Sequence, residues 1–356
     1  MHGRSWRWCG VLLFAWATTG VGAVPDPARI LALPEALRAD FQTRVLDGER
    51  SEAQRLARLV DYLFAPEGLG MQYQADATYI VADAYATRRA NCLSFTLLTV
   101  ALAREAGLDA HGQEIAETLA WRRIDQTIYR SNHVNAGVTV RRKRLTVDVA
   151  WDEIIATEPP RAIDDARLFA HYYNNRAVDL MQAGDIDAAL AHAEASLVQD
   201  AGFATSWSNR GVLQRKRGDE ARARADFEHA LALDPAHPGA LSNLAMQLRR
   251  DGEAAGAEAL LVRLEMLQSR DPLHQFLQAL DAERSGDFER AADHYRHAIR
   301  LHEDEHSFHF GLARAYLQLG RDRAAARALE RARALSDGAQ RQRYAAKLAA
   351  LRAGGS

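Results

Sequence analysis

Apolar residues fill the segment between Asn91 and Gly107 and leave it almost no polar face. Asn91 is a favourable N-cap residue, and Gly107 is favourable just past the end of a helix. We therefore predict a buried helix between these two residues. Cys92 falls in its first turn, where unpaired backbone N–H groups and the positive end of the helix dipole favour a thiolate. The pattern predicts a nucleophile at the start of a buried helix.

The pattern before this segment is also helical. Apolar residues recur at three- and four-residue spacings over residues 25–65. Pro34 opens one predicted helix and Ser51 opens the next. A third predicted helix runs from about residue 76 to residue 86. The first part of the chain is therefore expected to be mainly helical.

After the buried helix, the pattern changes to the alternation that is typical of β-strands. Residues 111–115 form a weak strand candidate, whereas residues 132–140 and 145–150 alternate clearly. The basic residues 141–144 lie between the two clear strands as a polar turn. The pattern predicts a hairpin with one buried apolar face.

His133 and Asp148 both fall on the opposite, polar face of this hairpin. A histidine can take the proton of a thiol, and a carboxylate can fix the imidazole tautomer and stabilise its charged form. Asp148 lies opposite His133 if the turn centres near residues 140–141. Asp152 takes that place if the turn centres on residues 142–143. The spacing alone leaves this choice open.

The chain becomes repetitive from about residue 170. Glycines recur every 34 residues, and a small residue follows each glycine by five positions. This period predicts pairs of helices that pack closely and stack into an array. Gln275 and His309 replace the aromatic residue of the first helix in the last two copies, so we expect looser packing there. The recurring glycines are Gly184, Gly218, Gly252, Gly286 and Gly320.

Composition narrows the range of functions. The chain has 356 residues, of which 48% are hydrophobic and 26% are charged, as in soluble globular proteins. Its net charge of -2 gives no reason to expect nucleic acid or an anionic membrane surface as a partner. The sequence contains no Gly-rich phosphate loop, metal-ligand cluster or haem motif. We therefore expect no cofactor.

The first 23 residues have the pattern of a secretory signal. Basic residues at positions 4 and 7 precede an apolar run over residues 11–17, and a small-residue cleavage site ends at Ala23. The run is too short to span a bilayer, so no stable membrane anchor is expected. Cys9 would leave with the signal, and Cys92 would be the single thiol of a periplasmic or secreted chain.

Three short motifs resemble the core of the transglutaminase-like superfamily. They are Arg-Ala-Asn-Cys-Leu-Ser at residues 89–94, His-Val-Asn at residues 133–135 and Val-Asp at residues 147–148. The resemblance covers roughly residues 30–160. It implies a papain-like α+β fold in which a cysteine on a helix faces a histidine and an aspartate on neighbouring strands. The family usually has glycine where this chain has Asn91, and it often has an aromatic and an acidic residue where this chain has Asn135 and Ala136.

The resemblance also implies residue roles. Cys92 would be the nucleophile, His133 the base and Asp148 the orienting carboxylate, which favours Asp148 over Asp152. The 34-residue period, in turn, is similar to that of the tetratricopeptide (TPR) repeat. Arrays of this kind expose a concave face formed by the first helices. Basic pairs such as Arg215-Lys216 and Arg249-Arg250 form a stripe there. The stripe either binds an acidic or carboxylate-ended peptide or consists of ordinary solvated helix ends near the C-terminal dipole.

We therefore predict an exported chain with a papain-like, transglutaminase-like α+β domain followed by an all-α TPR solenoid. The expected chemistry is thiol-dependent acyl transfer or amide hydrolysis on a protein or peptide. The alternative is a non-catalytic TPR scaffold with a degenerate transglutaminase-like fold. The predicted segments are a signal peptide (1–23), the transglutaminase-like domain (24–165), five repeats (170–337), and a capping helix with its tail (338–356).

Overall fold

The computed structural model describes residues 23–48, 51–115, 121–124, 127–130, 133–149 and 159–354. The described chain passes from short helices through an antiparallel sheet into a solenoid of paired helices. Within these ranges, no helix is long and apolar enough to cross a membrane. The signal sequence predicted over residues 1–23 lies, apart from Ala23, outside the described residues.

Within the part of the chain that the structure describes, four α-helices precede the buried helix. Ser51 begins the third of them with a capping box, because its side chain accepts from the Gln54 N–H and the Gln54 side chain accepts from the Ser51 N–H. The helix start predicted at Ser51 is therefore confirmed. The four helices are α1 (Pro27–Ile30), α2 (Glu35–Phe41, continued by a π-helical turn, Gln42–Leu46), α3 (Glu52–Phe64) and α4 (Val81–Thr87).

Helix α4 is shorter than the sequence pattern predicts, because residues 74–80 are not helical. Their backbone groups bond to the start of the next helix instead. The Asn91 N–H donates to the Ala77 carbonyl at 3.2 Å, and the Tyr79 N–H donates to Ser94 Oγ at 2.7 Å. The segment is therefore bound to the start of α5 rather than forming an extra helical turn.

The predicted buried helix is present as α5 (Cys92–Glu105). The Asn91 side chain caps it by accepting from the Ser94 N–H at 2.9 Å. Gly107 adopts a φ of +68° just beyond its end, a conformation that glycine reaches without steric cost. Every residue from position 93 to position 103 is buried. The prediction of a core helix with Cys92 in its first turn is confirmed.

A four-stranded antiparallel sheet packs beside α5. The Thr96 hydroxyl of α5 donates to the Val134 carbonyl in the sheet at 3.0 Å. Two small two-stranded sheets accompany it. The large sheet has the order β7–β6–β3–β8, from β3 (Asp109–Ile115), β6 (His133–Val140), β7 (Lys143–Val147) and β8 (Arg161–Ile163); the small sheets pair β1 (Gln72–Tyr73) with β2 (Arg89–Ala90) and β4 (Trp121–Ile124) with β5 (Thr127–Arg130).

The β6–β7 hairpin is confirmed, but both turn positions considered from the sequence are wrong by one residue. Val140 pairs with Lys143, so Arg141 and Arg142 form the turn. Both arginines have positive φ, +49° and +67°, as a tight hairpin turn of the favoured twist requires. Continuing this register one step places residue 148 opposite Asn135, with His133 as its diagonal neighbour.

Strand β6 is also buried more completely than the sequence predicts. Alternation indicated one apolar face, and Val134 and Ala136 on that face are indeed buried. His133 and Asn135 on the polar face are only 3% and 2% exposed. The polar face of β6 is therefore covered as well, and its polar groups must find partners inside the protein.

The C-terminal half is a solenoid of five helix pairs, as the 34-residue period predicts. Each recurring glycine follows the first helix of a pair and has a φ between +67° and +90°. The small residue five positions later is fully buried in all five copies. The pairs are α6 (Asp165–Gln182) with α7 (Ile186–Gln199), α8 (Ala204–Lys216) with α9 (Glu220–Leu233), α10 (Pro238–Arg250) with α11 (Ala254–Ser269), α12 (Pro272–Arg284) with α13 (Phe288–Leu301), and α14 (His306–Gln318) with α15 (Asp322–Leu335).

Gln275 and His309, the residues expected to loosen the packing of the last two copies, are both buried. Gln275 is 6% exposed, and its side-chain oxygen bonds to the His294 ring at 2.9 Å. His309 is 8% exposed, and its ring bonds to the Glu303 carbonyl at 2.8 Å. Hydrogen bonds thus replace the apolar contact of the aromatic residue. Helix α16 (Gly338–Gly354) covers the last pair, with Tyr344 buried against it, as predicted for a capping helix.

The first helix of the solenoid packs into the core that surrounds α5. Leu168 and Tyr173 of α6 belong to the same apolar cluster as the buried residues of α5. Arg104 forms a two-bond ion pair with Asp165 at 2.7 Å, and the Tyr173 hydroxyl donates to the Pro25 carbonyl at 2.6 Å. Helix α6 therefore contributes both to the array and to the region that carries the thiol.

A charged cluster joins the sheet to the solenoid at Glu114. Its carboxylate accepts from Arg167 Nε and from the His171 ring at 2.5 Å each, and from Arg161 at 2.9 Å. Burial alone would raise the pKa of Glu114, but the bonds from His171 and Arg167 hold it well below its usual value. Burial lowers the pKa of His171, and the Glu114 carboxylate opposes that effect.

We expect Glu114→Gln to lower the free energy of unfolding by about 1–3 kcal/mol near neutral pH, because it weakens hydrogen bonds to charged groups at this joint. The folded-state pKa of Glu114 lies below its unfolded value, so its contribution is present above about pH 4.5 and is lost as the pH falls further. Urea unfolding of both proteins against pH measures the effect. Glu105→Gln is the control, since it removes an exposed ion pair with Arg38. A loss of unfolding free energy above about 1 kcal/mol in this control would contradict the special role of Glu114.

Candidate thiol site

The structure brings Cys92, His133 and Asp148 together. Cys92 is the first residue of α5, His133 is the first residue of β6, and Asp148 directly follows β7. His133 Nε2 lies 2.5 Å from Asp148 Oδ2, and the Cys92 thiol lies near the His133 ring. Because Asp148 takes Nε2, Nδ1 is the ring nitrogen that remains for Cys92. The three predicted site residues therefore form one connected chain.

Burial and nearby charges shift the pKa of His133 in opposite directions. Its side chain is 3% exposed and that of Asp148 is 8% exposed, whereas Cys92 is partly exposed. Burial lowers the pKa of His133, but the hydrogen bonds and charges of Asp148 and Cys92 together raise it to about 9. The ring is therefore protonated near neutral pH. It can stabilise a thiolate on Cys92 and later deliver a proton.

We expect the His133 imidazole to titrate near pH 9, and Asp148→Asn to lower that pKa because it removes the carboxylate charge. The folded-state value lies above the ordinary 6.5, so this proton stabilises the fold fully below about pH 6.5. That stabilisation is lost as the pH rises through about 9. Carbon-13 NMR of histidine-labelled protein measures the titration, with His133→Gln to assign the signal. A midpoint at or below 6.5 would contradict the ion pair between His133 and Asp148.

Asn91 holds the start of α5 with both ends of its side-chain amide. Its oxygen accepts from the Ser94 N–H, and its Nδ2 donates to Thr78 Oγ1 at 2.9 Å. The Ser94 hydroxyl donates in turn to the Ala77 carbonyl at 2.9 Å. Residues 77–79 and 91–94 thus fix the position of Cys92. The sequence identified Asn91 as a cap, but nothing in it indicated the contacts with Thr78 and Ala77, which are distant in sequence.

Asn135 is a site residue that sequence reasoning did not assign. Its Nδ2 donates to Asp148 Oδ2 at 3.2 Å, so one carboxylate oxygen accepts from both His133 and Asn135. The two-residue turn places residue 148 opposite Asn135, and this register could not be read from the sequence. Asp152, the alternative orienting residue, lies outside the described residues.

The basic stripe predicted on the solenoid is largely paired with carboxylates. Arg250 lies 3.3 Å from Glu220, and Arg249 lies 3.7 Å from a carboxylate of α11. Arg215 instead donates to Asn243 at 3.2 Å. Burial, followed by the nearby charge of Arg250, lowers the pKa of Arg215. Burial and the charge of Arg250 therefore both disfavour the charge of Arg215, and an anion bound beside Arg215 would favour it.

A cavity of about 760 Å³ opens at the other end of α5, away from Cys92. With a rise of about 1.5 Å per residue, α5 separates this cavity from the thiol by roughly 20 Å. It is therefore not part of the thiol site. The cavity is lined by Gln42, Leu46, Gly48, Ser51, Arg55, Glu105, Ala106 and Gly107. Among the residues that the structure describes, no cluster of His, Cys, Asp and Glu side chains could hold a metal ion.

Comparison with known proteins identifies the solenoid. Residues 204–237 and 276–353 match family models of the tetratricopeptide repeat. The chain therefore carries TPR repeats, as the 34-residue period predicted. A comparison with curated proteins gives no match for this sequence.

Several solved structures are similar to about half of the chain. MamA protein shares 17% identity, with 47% of this chain and 91% of that chain covered and a TM-score of 0.27. YrrB, a TPR protein described as having an unusual peptide-binding site, shares 19%, with 50% and 92% covered and a TM-score of 0.27. TTC0263, a thermophilic TPR protein in Thermus thermophilus, shares 22%, with 50% and 98% covered and a TM-score of 0.28.

Proposed function

We propose that the chain binds a protein or peptide through its TPR array and acts on an acyl group of it through Cys92, His133 and Asp148. The observation that carries the proposal is the position of His133, which contacts Asp148 through Nε2 and lies near the Cys92 thiol. A buried, charged imidazole between a carboxylate and a partly exposed thiol is the arrangement that activates a cysteine nucleophile. The order of motifs supports a transglutaminase-like domain with a papain-like fold over residues 24–165.

The proposed reaction begins with attack of the Cys92 thiolate on an amide or ester carbonyl carbon. A sulfur–carbon bond forms, and the carbonyl electrons move onto oxygen. As the carbonyl re-forms, His133 gives its proton to the departing amine or alcohol, which leaves a thioester. Water or an amine then attacks the thioester carbon and loses a proton to His133, and the Cys92 thiolate departs. Asp148 holds the ring in place and stabilises its charged form throughout.

The developing oxyanion requires donors near the attacked carbonyl. Cys92 is the first residue of α5, so its backbone N–H belongs to the first turn, whose N–H groups lack partners within the helix. The positive end of the helix dipole lies at the same place and also stabilises negative charge there. We assign the Cys92 N–H as one oxyanion donor.

We further propose that the partner lies on the concave face of the TPR array, where Arg215 favours an acidic or carboxylate-ended peptide. The net charge of -2 gives no support for nucleic acid. The pattern of the first 23 residues supports export, with removal of the signal after Ala23 and residence in the periplasm or outside the cell. Export would leave Cys92 as the single cysteine of the mature chain.

A non-catalytic TPR scaffold is the second candidate function. The family matches favour it, because they fall on the repeats and the capping helix, at residues 204–237 and 276–353. On this reading the thiol region keeps a degenerate transglutaminase-like fold without turnover. Asn91 stands where the family usually has glycine, and its side chain approaches the same helix start that the chemistry would use.

Acyl-enzyme trapping separates the two functions. The mature chain, from Val24, is mixed with an activated aryl ester, and the intact mass of the protein is followed after rapid acid quench. The proposal predicts one acyl group per chain, located on Cys92 by peptide mapping, with a matching burst of the phenolate. Adding a primary amine distinguishes acyl transfer from hydrolysis by the product formed. No adduct on Cys92, with no burst, would favour the scaffold.

A further inference from the structure

Asp148 accepts hydrogen bonds from both His133 and Asn135, and Asn135 has no assigned role in the chemistry. Asp148 Oδ2 accepts from His133 Nε2 at 2.5 Å and from Asn135 Nδ2 at 3.2 Å. The register of the hairpin places Asn135 directly across from residue 148. A carboxylate can only accept, so the Asn135 amide must turn its Nδ2 toward Asp148.

This orientation leaves the other end of the Asn135 amide in an unfavourable position. Asn135 is 2% exposed, and its Oδ1 is buried without a hydrogen-bond partner among the described residues. An orphaned buried acceptor costs free energy that an apolar residue of the same size would avoid. Packing alone therefore explains Asn135 poorly. The hydrogen bond of its amide is the one that Nδ2 donates to Asp148.

We propose that Asn135 is a positioning residue of the thiol site, which fixes the Asp148 carboxylate so that Oδ2 faces His133. The inference rests on the proposed function and extends it by one residue. Without the Asn135 donor, the carboxylate turns more freely about its side-chain bonds. The hydrogen bond to Nε2 is then weaker on average, and the imidazolium loses part of its stabilisation.

The nearby residue Gln113 provides a matched control. It pairs with Asn135 across β3 and β6, and it is 5% exposed. Its side-chain oxygen accepts from the Thr146 hydroxyl at 3.2 Å, rather than bonding to Asp148. Asn135→Leu and Gln113→Leu therefore remove buried amides from the same face of the same sheet, but only the first removes a donor to Asp148.

The test is the NMR titration of His133 in the full mature chain of each variant, with the unfolding midpoint measured in parallel. Asn135→Leu is expected to lower the pKa of His133 by about 1, a tenfold change in proton affinity. Gln113→Leu is expected to leave that pKa unchanged. Where Asn135→Leu does not fold, Asn135→Ser serves in its place, because its hydroxyl is too short to reach the carboxylate.

The outcomes separate this inference from the proposed function. A fall of the His133 pKa in the Asn135 variant alone supports the positioning role, whatever the wild-type activity. An unchanged pKa in that variant, or an equal fall in Gln113→Leu, overturns it. A wild-type chain that forms no acyl-enzyme would instead overturn the proposed function. The His133 pKa values of the Asn135 and Gln113 variants would still decide whether Asn135 positions Asp148.

Discussion

Cys92→Ala is expected to reduce turnover of an activated aryl ester by at least about 10⁴-fold relative to the wild-type chain. The substitution removes the sulfur that His133 contacts, so no thioester can form there. His133 and Asp148 remain paired at 2.5 Å, and the fold is expected to persist because Cys92 is partly exposed. Steady-state release of the phenolate, measured against the uncatalysed rate, gives the size of the loss.

Cys92→Ser is the matched control for this prediction. It keeps the shape of the side chain but replaces the thiol with a much weaker nucleophile. We expect it to lose the burst of phenolate as Cys92→Ala does, with an unchanged unfolding midpoint. If either variant cleaves the ester at the wild-type rate, cleavage takes place elsewhere in the protein. The assignment of Cys92 as nucleophile would then be wrong.

Phe227→Ala is expected to lower the free energy of unfolding by about 3–5 kcal/mol. Phe227 is fully buried between the helices of the second repeat. Its ring packs directly on the backbone of Gly211, where an added Cβ would lie only 2.6 Å from a ring carbon. Removing the ring leaves a cavity between α8 and α9 that the glycine cannot fill. Urea unfolding followed by far-UV circular dichroism measures the loss.

Val198→Ala supplies the comparison within the same array. Val198 is 81% exposed near the end of α7, so its truncation is expected to change the unfolding free energy by less than about 0.5 kcal/mol. Because neighbouring repeats stabilise one another, the Phe227→Ala loss is also expected to affect the repeats on either side. Equal effects of the two substitutions would contradict the packing described for this pair of helices.

Local signals in the sequence were sufficient for the elements that carry the chemistry. Asn91 and Gly107 marked the ends of α5, because capping and positive φ are properties of single residues. The recurring glycines marked the repeats, because one period is repeated five times. The parity of His133 and Asp148 placed them on one face of the hairpin, since strand side chains alternate.

Features that depend on tertiary contacts could not be obtained this way. Four consecutive basic residues were compatible with several turn positions, and only the structure shows Arg141 and Arg142 at positive φ. The contact between Asn135 and Asp148 follows from that register. Residues 76–80 have a helical pattern, but Ser94 and Asn91 bind their backbone instead. The local sequence pattern cannot show that hydrogen bonds to distant residues replace those of a helix.

The boundary between the two parts of the chain was also hidden from the sequence. Helix α6 has the spacing of a repeat helix, yet Leu168 and Tyr173 pack into the core around α5. Glu114 looks like an ordinary strand residue until Arg167 and His171 are folded against it. These contacts join residues more than fifty positions apart, which periodicity cannot connect.

The most direct test of Cys92 as an activated nucleophile is alkylation of the folded mature chain by iodoacetamide near neutral pH. We predict rapid, stoichiometric labelling of Cys92, and markedly slower labelling in His133→Gln, because the imidazolium stabilises the reactive thiolate. Peptide mapping identifies the modified residue. A folded chain whose Cys92 resists the reagent, although urea-unfolded chain is labelled readily, would contradict the account.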